Sequence, residues 1–443
     1  MKNKILIKNG SVVFENEVLK RDILITKNKI TRISPSLDGE MSGQVIDARN
    51  RFILPGGIDV HTHMELDAGN GLVSCDDYRN GSRAGLIGGI TTFFGFAYPV
   101  PGMRLEQALQ KEEQKTARSF SPCRLHTGIM EWQDDLEEQV KECIKRGNRS
   151  FKLHLNHPSV DPVFLLRVFR ILFKYNGTAI LHCEEGMIID FLKQEFIRGG
   201  RTELSHYPRT REDYTEKMAV DTVINLAKQF ETKIYIAHLT SRSALLSIEK
   251  AREESDIWIE AETCPQYLLF TEKVYKENDG YLNTCTPPYR HKIDSDSLWQ
   301  GLRKGLIKVV SSDHCPFTRR QKEKGRDDFS KLAMGVPGIE TLYPLMLSEG
   351  QKRKFKIQEI VKWVSTNPAK IFNLYPDKGV IRKNSIADLV IYNPCSSERI
   401  SCQNLSTRLD YSPYEKRKLN GKIETVILNG RTVLLNNHFM LNP

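Results

Sequence analysis

Apolar and polar positions alternate at both ends of the chain. Residues 5–33 (ILIKNGSVVFENEVLKRDILITKNKITRI), 387–394 (ADLVIYNP) and 424–434 (ETVILNGRTVL) are rich in Val, Ile and Leu and punctuated by Asn-Gly. A period of two predicts half-buried strands, and Asn-Gly is a hairpin signal. Together the two ends predict one small β-domain built from residues 1–54 and 376–443. The middle has another rhythm. Short apolar runs at 56–63, 91–96, 124–129, 150–155, 179–183, 233–238, 257–262 and 308–313 alternate with longer amphipathic stretches, such as 105–118, 163–175 and 216–230. Eight strands alternating with helices predict an α/β fold, a parallel (β/α)₈ TIM-like barrel over residues 55–375. The Lys-rich stretch 319–331 reads as a mobile loop after the last strand.

Composition narrows the class. Hydrophobic residues are 40% and charged residues 27% of 443, as in a globular protein and unlike a collagen-like, disordered or disulfide-stapled chain. No apolar run reaches the roughly 18 residues of a membrane span, so no membrane partner is expected. The apolar core of the N-terminus is too short for a secretory signal, which points to the cytoplasm and reduced thiols. The nine Cys include no CxxC pair, against a thiolate zinc ribbon. The net charge of +10 is spread thinly. Its densest pieces, at 290–292, 319–326 and 416–418, come with no nucleic-acid-binding motif and read as solvated surface, so no nucleic-acid partner is expected.

The informative residues sit at strand ends. His61 and His63 end the first predicted strand, Lys152 lies in the fourth, and His182, His238 and Asp313 close the fifth, sixth and eighth. Active sites of such barrels lie at the C-terminal ends of the strands, so six ligand-type groups converge on one mouth. Residues i and i+2 of a strand share a face, so His61 and His63 can grip one ion from one side. Paired barrel-end histidines held by hydrogen bonds are the plainer alternative. Lys152 lies among Phe151, Leu153 and Leu155, in a buried strand. Burial lowers the pKa of a lone lysine, which is answered either by a salt bridge or by reaction of the neutral amine with CO₂ to a carbamate, an anionic bridge for two cations. Asp313 can ligate an ion and accept a proton from water, or cap the turn that follows.

Longer stretches carry a resemblance. They are LPGGIDVHTHME (54–65), GGITTFFGF (88–96), SFKLHL (150–155), ILHCEEG (180–186), IYIAHLTSRSAL (234–245), AETCPQYLLF (261–270), TPPYR (286–290), SSDHCPF (311–317), FSKLAMGVPGIET (329–341) and residues 365–394. In order and over nearly the whole chain, these resemble the cyclic amidohydrolases of the dihydropyrimidinase/hydantoinase family. The resemblance implies a metal-bearing (β/α)₈ barrel with a β-sandwich made from both termini. It implies two divalent ions, zinc by default, bridged by carboxylated Lys152 and a hydroxide. His61, His63 and Asp313 would hold the more buried ion, and His182 and His238 the more exposed one. Asp313 would be the general base that later protonates the leaving nitrogen. The substrate would be a small cyclic amide and the assembly a homotetramer.

Some positions depart from the family pattern. The family places a Tyr, which hydrogen-bonds the developing oxyanion, five residues after the bridging Lys; here His157 stands there and is the candidate replacement, with His154 and Asn156 nearby. The Asn expected before the Gly of the FSKLAMG stretch is Met334, a more apolar wall, whereas Thr286 matches the family's other main-chain contact to the ring. Glu65 occupies the position where dihydroorotases and many allantoinases carry an Arg. A carboxylate there opposes an anionic ring, unless it points away or pairs with an arginine such as Arg83. The alternatives to a dihydropyrimidinase or hydantoinase are an allantoinase or dihydroorotase-type enzyme, and a non-catalytic scaffold related to dihydropyrimidinase. The scaffold is disfavoured because all six ligand positions keep their residue types.

Overall fold

In a computed structural model describing residues 4–39, 43–69 and 71–441, the two chain ends build one mainly β sheet. Strands β1 (Lys4–Val13), β2 (Val18–Thr26), β3 (Lys29–Ser34), β4 (Gln44–Asp47) and β5 (Phe52–Pro55) come from the first end. The alternation of β1 and β2 sends Ile5, Ile7, Ile23 and Ile25 to one apolar cluster with Ile53, Leu389 and Ile391. The join is direct: β5 pairs antiparallel with the strand Leu389–Arg399, Ile53 opposite Ile391. The two Asn-Gly signals resolve differently. Asn429-Gly430, with φ of 48° and 71°, turns the chain between Leu428 and Arg431 as a two-residue hairpin should. Asn9-Gly10 lies inside β1, at a register shift between Ile7 and Gly10. A Cβ on Gly10 would stand 2.4 Å from Ile53 Cδ1, so this glycine serves a close approach rather than a turn.

Eight parallel strands follow in sequence order as one nearly closed barrel: β6 (Gly57–Asp59), β7 (Ile90–Ala97), β8 (Cys123–Gly128), β9 (Ser150–His154), β10 (Thr178–His182), β11 (Lys233–Ile236), β12 (Ile259–Thr263) and β13 (Val309–Val310). They occupy the predicted positions, and helices fill the gaps, including Leu105–Thr116, Pro162–Lys174 and Asp213–Lys228. The parallel strands are buried on both faces and so read as continuous apolar runs. All eight residues of β7 are buried. Closure between the last strand and the first falls beyond the ladder, where Thr62 bridges His314 and the His63 N–H donates to the His314 carbonyl at 2.7 Å. Phe94, Ile180, Tyr235 and Val309 form an apolar floor inside the barrel, stoppered by Phe372 at 5.1 Å from the Phe94 ring. The polar groups of the mouth therefore stand on a dry base.

The stretch after the last strand is not a free loop. It contains a helix at Arg319–Glu323 and a 3-10 turn at Phe329–Lys331, and it buries Lys322 completely. The Lys322 ammonium donates to the carbonyls of Thr284 and Ala333 at 2.9 and 3.0 Å and to Thr284 Oγ1 at 3.0 Å. Burial pushes its pKa down to about 7, but three oxygen acceptors match the three hydrogens of the charged form. The charge count of 319–331 suggested exposure because it could not show these acceptors. Lys322→Met is expected to destabilise the fold by about 1–3 kcal/mol through stranded buried oxygens. An unchanged denaturation midpoint would count against the clamp. Among the described residues, no helix is long and apolar enough to cross a membrane.

Candidate metal centre and active site

The strand ends deliver all six predicted groups to one cavity of about 930 Å³. His61 and His63 lie beyond the short ladder of β6, but Thr62 between them keeps the alternation. Its N–H and Oγ1 both donate to the Phe94 carbonyl, at 3.0 and 2.8 Å, which turns the flanking imidazoles inward with ring centroids 5.1 Å apart. Asp313 Oδ1 sits 3.2 Å from His63 Nε2 and 3.5 Å from His61 Nε2. Ligand atoms of these three residues lie within 4.8 Å of one another, the spacing of a shared cation. A second pair stands beside them: His182 Nδ1 is 3.0 Å from His238 Nε2, and the His238 ring is 5.4 Å from that of His61. His238 and Asp313 fall two and three residues past their strands, with φ of 35° and 49°. Non-glycine residues rarely occupy this left-handed region, and such strain clusters at functional sites.

Lys152 is 1% exposed, and its Nζ has no hydrogen-bond partner among the described residues. Burial pushes its pKa down to about 8, against the opposing pull of Glu262 and Asp313. His63 Nδ1 and His238 Nδ1 are likewise buried without a partner among the described residues. Burial also holds the His61 and His238 imidazoles well below their usual range, in the neutral form that binds metals. At Asp313 burial acts upward, but His61 and His63 outweigh it and keep the carboxyl ionised. Neutral imidazoles, an anionic carboxylate and an unsatisfied amine form a donor set that fits divalent cations.

Three carboxylates that carry no role in the sequence reading support these groups. Glu262 Oε1 is 2.5 Å from His61 Nδ1 and accepts the His238 N–H at 3.2 Å, and Oε2 accepts the Tyr235 hydroxyl at 2.9 Å. Glu184 Oε2 meets His182 Nε2 at 2.8 Å and pairs with Arg211; burial raises its pKa, but that pair and His182 outweigh burial and bring it to about 2. Asp59 accepts from the N–H of Ser312 and of His61, at 3.0 and 3.3 Å, tying the first strand to the last. Asp59 and Glu262 lie in strands buried on both faces, where a carboxylate must be paired, and that was the available signal; Glu184 lies two residues past β10. Carboxylates behind a ligating imidazole fix its tautomer and strengthen it as a donor. Glu262→Gln is therefore expected to weaken metal binding about 10–100-fold, measured by chelator competition. Unaltered affinity would make Glu262 a packing residue only.

The predicted substrate contacts also line the cavity, in distinct settings. Thr286 Oγ1 is 3.3 Å from the Tyr207 hydroxyl, and Met334 packs on the core at the opposite loop. These two loops are joined by the Gly335 N–H, which donates to the Thr284 carbonyl at 2.9 Å, and by Lys322. Glu65 pairs with Arg118 through both oxygens, at 2.6 and 2.7 Å, not with Arg83, whose guanidinium lies over Phe439. Its charge is thus neutralised at the rim. His157 is half-buried in the turn after β9, where its Nδ1 accepts the Ser159 N–H at 3.3 Å. His314 and His126, next to the site, are structural: His314 faces Asp76 and the Gly338 N–H, and His126 is held by Ser150 and the Val60 carbonyl. Cys183, Cys264, Cys285 and Cys315 are buried, and burial pushes their thiols up, away from reactivity.

This barrel with its strand-end cluster belongs to the amidohydrolase family, whose sequence profile matches residues 52–433. The chain is 32% identical to the D-hydantoinase of Streptomyces coelicolor over 98% of this chain and 95% of that protein. It is 33% identical to the D-hydantoinase of Geobacillus stearothermophilus over 99% and 94%. The crystal structure of dihydropyrimidinase from Brevibacillus agri NCHU1002 superposes with a TM-score of 0.95 at 30% identity, over 98% of this chain and 96% of that one. Within the family, the chain is a cyclic amidohydrolase of the hydantoinase/dihydropyrimidinase type.

Proposed function

We propose that the protein opens a dihydropyrimidine or 5-substituted hydantoin ring at a centre of two divalent ions, zinc by default. The observation that carries this reading is the convergence of His61, His63, Lys152, His182, His238 and Asp313 on one cavity. His61, His63 and Asp313 would hold one ion, His182 and His238 the other, and Lys152, carboxylated, would bridge them. When bound, the ions supply hydroxide at neutral pH and polarise the scissile carbonyl. Asp313 takes up the proton released at the nucleophile on its carboxylate and hands it to the leaving ring nitrogen. The main chain beside Thr286 and Met334 orients the ring, and the apolar side chains of Met64, Leu66, Val100 and Met334 suit an apolar ring substituent. Residues 55–375 would form the catalytic unit. Nine unpaired cysteines support a reducing compartment such as the cytosol.

The test is ring opening by purified protein reconstituted with zinc or manganese plus bicarbonate. The panel is dihydrouracil, dihydrothymine, phenylhydantoin, allantoin and dihydroorotate. Turnover of a dihydropyrimidine or hydantoin is expected. Turnover of allantoin or dihydroorotate alone would move the protein to a sister activity. Metal-loaded protein that opens no ring in the panel would overturn the reading.

A further inference from the structure

Tyr98 and His154 form a pair on the cavity wall that no role above uses. The Tyr98 hydroxyl is 3.1 Å from His154 Nε2. Both are half-buried and both line the cavity. The pair abuts each half of the candidate metal cluster. The Tyr98 ring stacks on Phe96 at 5.7 Å, and Phe96 stacks in turn on His63 at 4.8 Å. The His154 ring is 5.5 Å from that of His182. His154 also shares a strand face with Lys152, two residues before it on β9.

The surroundings make room for this phenol. Gly128 ends β8 beside it, and a Cβ there would stand 2.5 Å from Tyr98 Cδ1. Even alanine at 128 would displace the ring. Burial, with the Asp313 charge, pushes the phenol well above its usual range, so it stays a protonated donor. A hydroxyl has one hydrogen and two lone pairs. When His154 Nε2–H donates to the Tyr98 oxygen, the phenolic hydrogen is left to point into the cavity. His157, in the turn past β9, lines the same cavity, and its Nδ1 accepts the Ser159 N–H.

We propose that Tyr98, oriented by His154, donates the hydrogen bond that stabilises the negative charge developing on the scissile ring carbonyl. This rests on the cyclic-amide reading above and adds to it a donor distinct from His157. Tyr98 would touch the reacting oxygen; His154 would act through Tyr98 as a positioning residue. Removing a donor of this kind costs about 10²–10³-fold in kcat.

The experiment compares Tyr98→Phe, His154→Phe, His154→Gln and His157→Phe as metal-loaded proteins, on whichever ring the wild type opens. Metal content is measured for each. Tyr98→Phe is expected to keep its metals and its KM while kcat falls about 10²–10³-fold. His154→Phe should fall comparably, and the double variant no further, because the pair acts as a unit. His154→Gln retains a donor and should recover most of the loss. A second readout does not depend on turnover. In holoenzyme labelled with 3-fluorotyrosine, the resonance missing from the Tyr98→Phe protein should shift on adding the ring-opened product, N-carbamoyl-β-alanine for dihydrouracil or N-carbamoylphenylglycine for phenylhydantoin. A wild type that opens a ring while Tyr98→Phe keeps its kcat, or loses less than His157→Phe, overturns the assignment of Tyr98 alone. An unshifted resonance overturns it too. A wild type that opens no ring overturns the underlying reading and this role with it.

Discussion

Lys152→Ala is expected to leave a folded protein without its metals and to lower ring opening by at least ~10³-fold. The charge stabilisation supplied by bound ions amounts to several kcal/mol, and each 1.36 kcal/mol is about tenfold in rate. The expectation follows from the environment of the amine. Lys152 is fully enclosed, its Nζ has no hydrogen-bond partner among the described residues, and burial brings its pKa to about 8. A lysine kept in such a place for stability alone would hold a buried ammonium with no hydrogen-bond partner among the described residues, offset only by the charges of Glu262 and Asp313. The neutral amine, accessible near neutral pH, is the form that reacts with CO₂. Metal loading of the wild type should therefore improve with bicarbonate, and that of the variant should not respond. Metal content by mass spectrometry and ring opening are the two measurements. A variant that holds both ions and turns over normally would remove Lys152 from the bridge.

The fold was legible in the sequence because its two parts have different periods. Alternation in β1 and β2 divides their apolar residues between two clusters, Ile5, Ile7, Ile23 and Ile25 on one face and Leu6 and Leu24 with Leu37 on the other, whereas the runs of β7 and β10 are buried inside the barrel. The six ligand-type residues were legible for a related reason: polar groups at the ends of otherwise apolar strands have few places to go but the barrel mouth. Long-range pairing was less legible. Glu262 lies in a predicted strand, yet only the folded barrel brings it beside His61, some 200 positions away in the chain. Lys322 looks like a surface charge in the string RRQKEKGR, and its burial depends on carbonyls at Thr284 and Ala333. Asn9-Gly10 carries a turn signal that the approach of Ile53 converts to a bulge. Glu65 has several arginines in reach by sequence, and the choice of Arg118 over Arg83 is made by the packing of Arg83 on Phe439. Tyr98 gives no periodic signal of its own; its significance appears only with His154 across two strands.

Asp313→Asn is expected to lower kcat by about 10²–10⁴-fold, the usual worth of a positioned general base. Asn keeps the shape and a ligating oxygen but cannot take up a proton. The variant therefore separates holding an ion from moving a proton. The structure favours the carboxylate for both tasks. Its Oδ1 faces the Nε2 atoms of His63 and His61 at 3.2 and 3.5 Å, which overcome the effect of burial and keep it ionised. Its backbone is held at a φ of 49°, so the side chain is aimed by the chain itself. In the wild type, activity should decline on the acid side as the catalytic base is protonated. In Asp313→Asn that acid limb should disappear from the residual activity, while KM changes little. Metal content measured alongside distinguishes a lost ion from a lost base. A variant that retains its metals, its kcat and an unchanged acid limb would assign the proton transfer to another group.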